Sequence, residues 1–160
     1  MLDATGYCGH LLLFADGVAQ DLGQFPGASN TTGTAINFAD TIVGYAQGPS
    51  GVRAFRYTAA QGYTDLGSLG GSRTWAFDIN GAGQIVGYST LPGSSQLQRA
   101  FLFSEERLVD LNDYVDNPQA DRPLTSSTAI SDTGYIVDNA CQPPQYSDCI
   151  AFRLTPIYSR

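Results

Sequence analysis

Trp75 is the single tryptophan of the chain, and Arg73 lies two residues before it. An accessible indole beside a guanidinium can stack on a sugar ring or anchor a protein partner. Tyr114, Asp116 and Arg122 fall in a long polar stretch and are the other candidate ligand-binding residues. The remaining groups point away from catalysis. Asp21, Asp65 and Asp110 each open the phrase Asp-Leu-Gly or Asp-Leu-Asn. A carboxylate repeated in this way is expected to accept backbone hydrogen bonds in a turn. His10 is the one histidine and occupies a repeated position, so it reads as structural. There is no G-x-S-x-G elbow and no His/Cys cluster with zinc spacing, so no catalytic residue, metal or cofactor is assigned. Glu105 and Glu106 are adjacent, and in a strand they would point to opposite faces instead of pairing as in a glycosidase. Asp78-x-Asn80-x-x-Gly83 resembles the start of a calcium loop, but Ala82 and the apolar Ile85-Val86-Gly87 that follow favour a plain hairpin. Cys141 and Cys149 flank the segment Gln142 to Asp148, which suits a disulfide clamping one loop. Cys8 is left over, either buried and inert or paired with another chain.

The composition narrows the class of protein. The chain has 160 residues, 42% hydrophobic and 14% charged, enough apolar content for one folded domain. All basic residues are arginine, and the acids are aspartate apart from Glu105 and Glu106. Lys and Glu are the usual residues of exposed helix faces, so their near absence argues for strands. A net charge of -7 excludes a basic patch for nucleic acid. No apolar run reaches the ~20 residues of a membrane-spanning helix. No basic segment precedes Leu11-Leu12-Leu13-Phe14, so no intact signal peptide is expected there.

The elements that hold these residues come from internal repetition. His10-Leu11-Leu12-Leu13-Phe14 is echoed by Arg53-Ala54-Phe55-Arg56-Tyr57, Arg99-Ala100-Phe101-Leu102-Phe103 and Ile150-Ala151-Phe152-Arg153-Leu154. The Asp-Leu phrase follows each of the first three. A third phrase runs Ala35-Ile36-Asn37, Asp78-Ile79-Asn80 and Ala129-Ile130-Ser131. The fourth runs Ile42-Val43-Gly44-Tyr45, Ile85-Val86-Gly87-Tyr88 and Ile136-Val137-Asp138-Asn139, with a degenerate copy at Thr5-Gly6-Tyr7. Each phrase reads as a short strand, fourteen in all. Gly83 and Gly134, with Asp40 in their place in the earlier copy, suit hairpins that need one left-handed residue. The expected fold is all-β, with four-stranded antiparallel repeats of about 45 residues arranged like a β-propeller. It would be a closed small ring or a partial propeller completed by other copies, and a β-solenoid is the alternative. The chain is taken as one repeat domain over 1–160, with a partial repeat at 1–30, repeats at 31–72 and 73–124, and a partial repeat at 125–160. Positions shared by every copy are expected in the core: Phe14, Tyr57, Phe103 and Leu154, and Ile36, Ile79 and Ile130. Trp75 is different, because its equivalents are Thr32 and Ser126.

Arg99 to Phe103, Asp65-Leu-Gly-Ser-Leu-Gly-Gly-Ser72 and Asp78-Ile-Asn-Gly-Ala-Gly-Gln-Ile-Val-Gly-Tyr-Ser89 are similar to repeats of the bacterial extracellular HAF-repeat family. The resemblance spans nearly the whole chain and is strongest from Arg53 to Phe103. It implies a secreted or cell-surface β-repeat protein without an established common activity, and it supplies no catalytic residues.

The expected function is a non-enzymatic, secreted or cell-surface binding scaffold that takes a glycan or protein ligand through its variable loops. One alternative is a structural protein that polymerises through incomplete terminal blades. The other is an extracellular polymer hydrolase with Asp residues in a central cleft. Self-association through terminal strands is expected; nucleic-acid binding and membrane insertion are not. An oxidising location follows from the cysteine pair and the acidic, Lys-free composition.

Overall fold

The computed structural model describes residues 9–115, 122–141 and 149–155. Each repeated phrase is a strand, because its alternating small, β-branched and aromatic residues suit a pleated surface with both faces covered. The first sheet pairs β1 (Leu12–Ala15) with β2 (Val18–Asp21). The second has four antiparallel strands, β3 (Asn30–Ile36), β4 (Ile42–Gly48), β5 (Gly51–Thr58) and β6 (Gly62–Asp65). The third repeats that order with β7 (Thr74–Ile79), β8 (Ile85–Thr90), β9 (Gln98–Ser104) and β10 (Arg107–Asp110). The fourth holds β11 (Leu124–Ile130), β12 (Ile136–Cys141) and β13 (Cys149–Leu154). The fold is thus all-β and antiparallel, with two complete four-stranded sheets between a two-stranded and a three-stranded one among the described residues. The expected strand at Thr5-Gly6-Tyr7 lies outside the described residues.

Successive sheets pack face to face, and alternation along each strand decides which face meets which neighbour. Val43 and Ala54 of the second sheet are fully buried against Ala76, Ile85, Phe101 and Phe103 of the third. Val86 and Ala100, their equivalents in the third sheet, are covered by Leu124, Ile136 and Ala140 of the fourth. Leu11 closes on Ile42, Ala46 and Phe55 from the other side of the second sheet. Phe25, Phe55, Tyr57 and Tyr63 interlock there, with ring centroids 4.9 to 6.2 Å apart.

A bulge recurs in the third phrase, with register shifts between Gly33 and Ala35, Ala76 and Asp78, and Ser127 and Ala129. In the two complete four-stranded sheets it sets a carbonyl against the glycine of the fourth phrase. A Cβ on Gly87 would lie 1.9 Å from the Trp75 carbonyl oxygen, and one on Gly44 equally close to that of Thr32. The turns that follow are also as expected, with φ of +56° at Asp40, +79° at Gly83 and +80° at Gly134.

Side-chain bonds tie the sheets together. The Asn37 amide donates to the Asn80 carbonyl at 3.0 Å, and the Asn80 amide donates to that of Ser131 at 3.1 Å. Asp78 accepts from the Ile130 amide at 2.8 Å, and Thr34 donates to the Ala76 carbonyl at 2.9 Å. Asp78 and Asn80 therefore serve the hairpin and the next sheet.

Two expected core positions are exposed. Phe14 is 71% accessible and Ile36 49%, whereas Phe103, Ile79 and Ile130 are buried. The buried residues sit on faces that a preceding four-stranded sheet covers. Phe14 lies on the outer face of the first sheet, and Ile36 faces a sheet of only two described strands. Glu105 and Glu106 also differ from expectation. They form a two-residue turn between β9 and β10 with φ of +52° and +58°, not part of a strand.

Candidate functional site

Trp75 enters on β7, directly opposite Tyr88 of β8. The indole stacks on the Tyr88 ring with centroids 4.6 Å apart and planes at 25°. Tyr45, from the second sheet, approaches the same indole at 6.3 Å. The register confirms that Thr32 and Ser126 are the equivalents of Trp75, since they oppose Tyr45 and Asn139. Half-burial pushes the Tyr88 phenol up to about 12; Arg73 opposes the shift and Tyr45 adds to it. Arg73 is therefore close enough to act on this stack. The structure brings together Arg73, Trp75, Tyr88 and Tyr45 where the second and third sheets meet.

Arg73 is held by its backbone. Its amide donates to the Thr90 hydroxyl at 3.1 Å, and its carbonyl accepts from the Thr90 amide at 2.8 Å. That anchorage leaves the guanidinium exposed. A separate polar cleft of about 120 Å³ opens beside Ser72 and Thr74, the residues that flank Arg73 and alternate with it. The cleft is lined by Ser50, Arg53, Asp65, Ser68, Ser72 and Thr74. Arg53 and Asp65 form an ion pair in its wall, with the Arg53 side chain 55% exposed. The other Asp65 oxygen accepts from the Gly67 amide at 2.9 Å. Such a surface offers a cation, a carboxylate and several hydroxyls to a polar ligand.

The recurring carboxylates behave as expected. Asp21 and Asp110 repeat the turn bond of Asp65, accepting from the Gly23 amide at 2.8 Å and the Asn112 amide at 2.9 Å. Asp21 also holds His10, whose Nδ1 lies 2.9 Å from the carboxylate. Each of these groups thus orders backbone or a neighbouring side chain.

The other candidates lie elsewhere. Tyr114 is 65% exposed in a 3-10 turn, Leu111–Tyr114, that follows β10. β10 and β7 are opposite edges of one sheet, three strand spacings or about 14 Å apart. Tyr114 is therefore not gathered with Trp75. Arg122 is half-buried just before β11, and Asp116 lies outside the described residues. The ends of this loop are fastened by Asn112. Its side chain accepts from the Leu124 amide at 2.8 Å and donates to the Leu124 carbonyl at 3.0 Å.

Cys141 and Cys149 are disulfide-bonded across paired positions of β12 and β13. Among the described residues, no three or more His, Cys, Asp or Glu side chains form a metal-binding group, and no helix is long and apolar enough to cross a membrane.

Sequence reasoning missed Arg53, Asp65, Tyr45 and Tyr88. All four recur in other copies and so read as scaffold. The signal available was the unlike residues at equivalent places: Thr32, Trp75 and Ser126 beside otherwise matching strands. No known protein family, curated protein or solved structure matches this chain.

Proposed function

We propose that the chain is a non-enzymatic binding module of a secreted or cell-surface protein, taking a polar, hydroxyl-rich ligand such as a glycan. The observation that carries this reading is the cleft walled by the Arg53–Asp65 pair and four hydroxyl side chains. Planar charged groups set beside hydroxyls match the vicinal hydroxyls of a sugar. The disulfide and the Lys-free acidic composition support an oxidising location. The phrases similar to HAF repeats and the sheet-on-sheet order support a propeller-like arrangement in an extracellular protein.

A glycan array probed with the folded chain tests the proposal. Binding that falls at least tenfold on Asp65→Asn supports it, because asparagine keeps an acceptor for the Gly67 amide while removing the ion pair. Folded protein that retains no glycan, or retains one equally well after Asp65→Asn and Arg53→Ala, overturns it.

A further inference from the structure

We infer that the outer face of the fourth sheet docks onto the outer face of the first sheet of a second copy, with Arg153 set over Phe14 and paired with Asp16. These residues are separate from the proposed binding cleft.

The argument starts at the junction of the second and third sheets. Arg56 reaches across it and pairs with Glu106 through two bonds of 2.7 and 2.9 Å. Its guanidinium also lies over the Phe103 ring, 5.7 Å from the centroid. Bidentate pairing and ring stacking give that junction direction as well as area.

The arginine and the ring of this lock recur on the two outer faces, and a carboxylate recurs one position earlier in the turn. Arg153 is the repeat equivalent of Arg56, and it sits opposite Val137 as Arg56 sits opposite Val43. Val43 is fully buried, whereas Val137 is 44% exposed. Arg153 is itself exposed and rests over the Tyr135 ring at 5.4 Å. On the first sheet, Phe14 is the equivalent of Phe103, and the two-residue turn Asp16-Gly17 is the equivalent of Glu105-Glu106, its carboxylate standing at the first turn position where the Arg56 partner Glu106 holds the second. Asp16 shares the left-handed backbone of that turn, with φ of +51°. Phe14 is 71% and Leu12 43% exposed, while Phe101, which matches Leu12, is fully buried.

The position of Arg56 reads Leu13, Arg56, Leu102 and Arg153 along the chain. An acidic hairpin follows Arg56 on the next sheet, whereas the hairpin facing Leu13 is the uncharged Ala59-Ala60-Gln61. The acidic hairpin of the first sheet and Arg153 of the fourth are the remaining matched halves. Both stay exposed within one chain, so the partner that brings them together is another copy, joined head to tail.

Sedimentation velocity of the full chain at increasing concentration tests this. The expected result is a mass that rises with concentration. Arg153→Glu and Asp16→Arg should each weaken association at least tenfold, and the two together should restore it. Phe14→Ser should weaken it without altering the far-ultraviolet spectrum. Association unchanged by these substitutions overturns the inference. So does a monomer at all concentrations, including one whose melting temperature falls on Arg153→Glu, which would place the contact within a single chain.

Discussion

The Asn37 side-chain amide donates to the Asn80 backbone carbonyl, and Asn80 repeats the bond to Ser131. The same sequence position thereby binds each sheet to the next. Asn80 is 3% exposed and also holds Gln84 through its amide and carbonyl oxygen. Asn80→Ala leaves buried backbone groups unpaired and should cost roughly 1–3 kcal/mol. Urea unfolding gives the value, and a loss below a few tenths would show that water replaces the bond.

Two glycines should separate by mechanism. Alanine at Gly87 meets a carbonyl oxygen across a bulge and should cost about 3 kcal/mol. Alanine at Gly83 meets nothing within 4 Å but must adopt a φ of +79°, a strain of about 1 kcal/mol. Denaturant midpoints of the two variants should therefore fall in that order. The reverse order would mean that the sheet relaxes around position 87.

Tyr63 makes stability fall in alkali. Burial, with help from Tyr57 and Asp21, raises its phenol from 10.0 to about 12. Between those values the unfolded chain loses the proton first, so unfolding is favoured as pH rises. The hydroxyl donates to the Gly23 carbonyl at 3.1 Å. Tyr63→Phe should be about 1 kcal/mol less stable at pH 7. Its melting temperature should then fall less steeply than that of the parent from pH 10 to 12, so the two curves converge.

The disulfide should contribute roughly 2–3 kcal/mol by closing a short loop. Cys141 and Cys149 should react with alkylating reagents only after reduction. Replacing both by serine should lower the urea midpoint to that of the reduced protein.

The strand order was legible because the phrases repeat, and a repeated alternation specifies strand and partner at once. The turn bonds of Asp21, Asp65 and Asp110 were legible for the same reason. Relations between sheets were not. Asp78 takes the place of alanine in the other copies, and nothing local indicates that it reaches Ile130. Glu105-Glu106 has no turn signature, since two left-handed glutamates are disfavoured and the turn is compensated by the Arg56 pair. Phe14 matched its equivalents in sequence but not in burial, because burial depends on what the neighbouring sheet supplies. Trp75 stood out by type, while its partner Tyr45 lies on another sheet.

The sheets pack on their neighbours in chain order, with each junction closed by its own apolar cluster and hydrogen bonds. Under tension such an arrangement yields one layer at a time, starting where only one neighbour holds. Each detachment of about 45 residues would release roughly 150 Å of slack. A tether built this way absorbs a pull in steps and keeps its inner layers while the outer ones give.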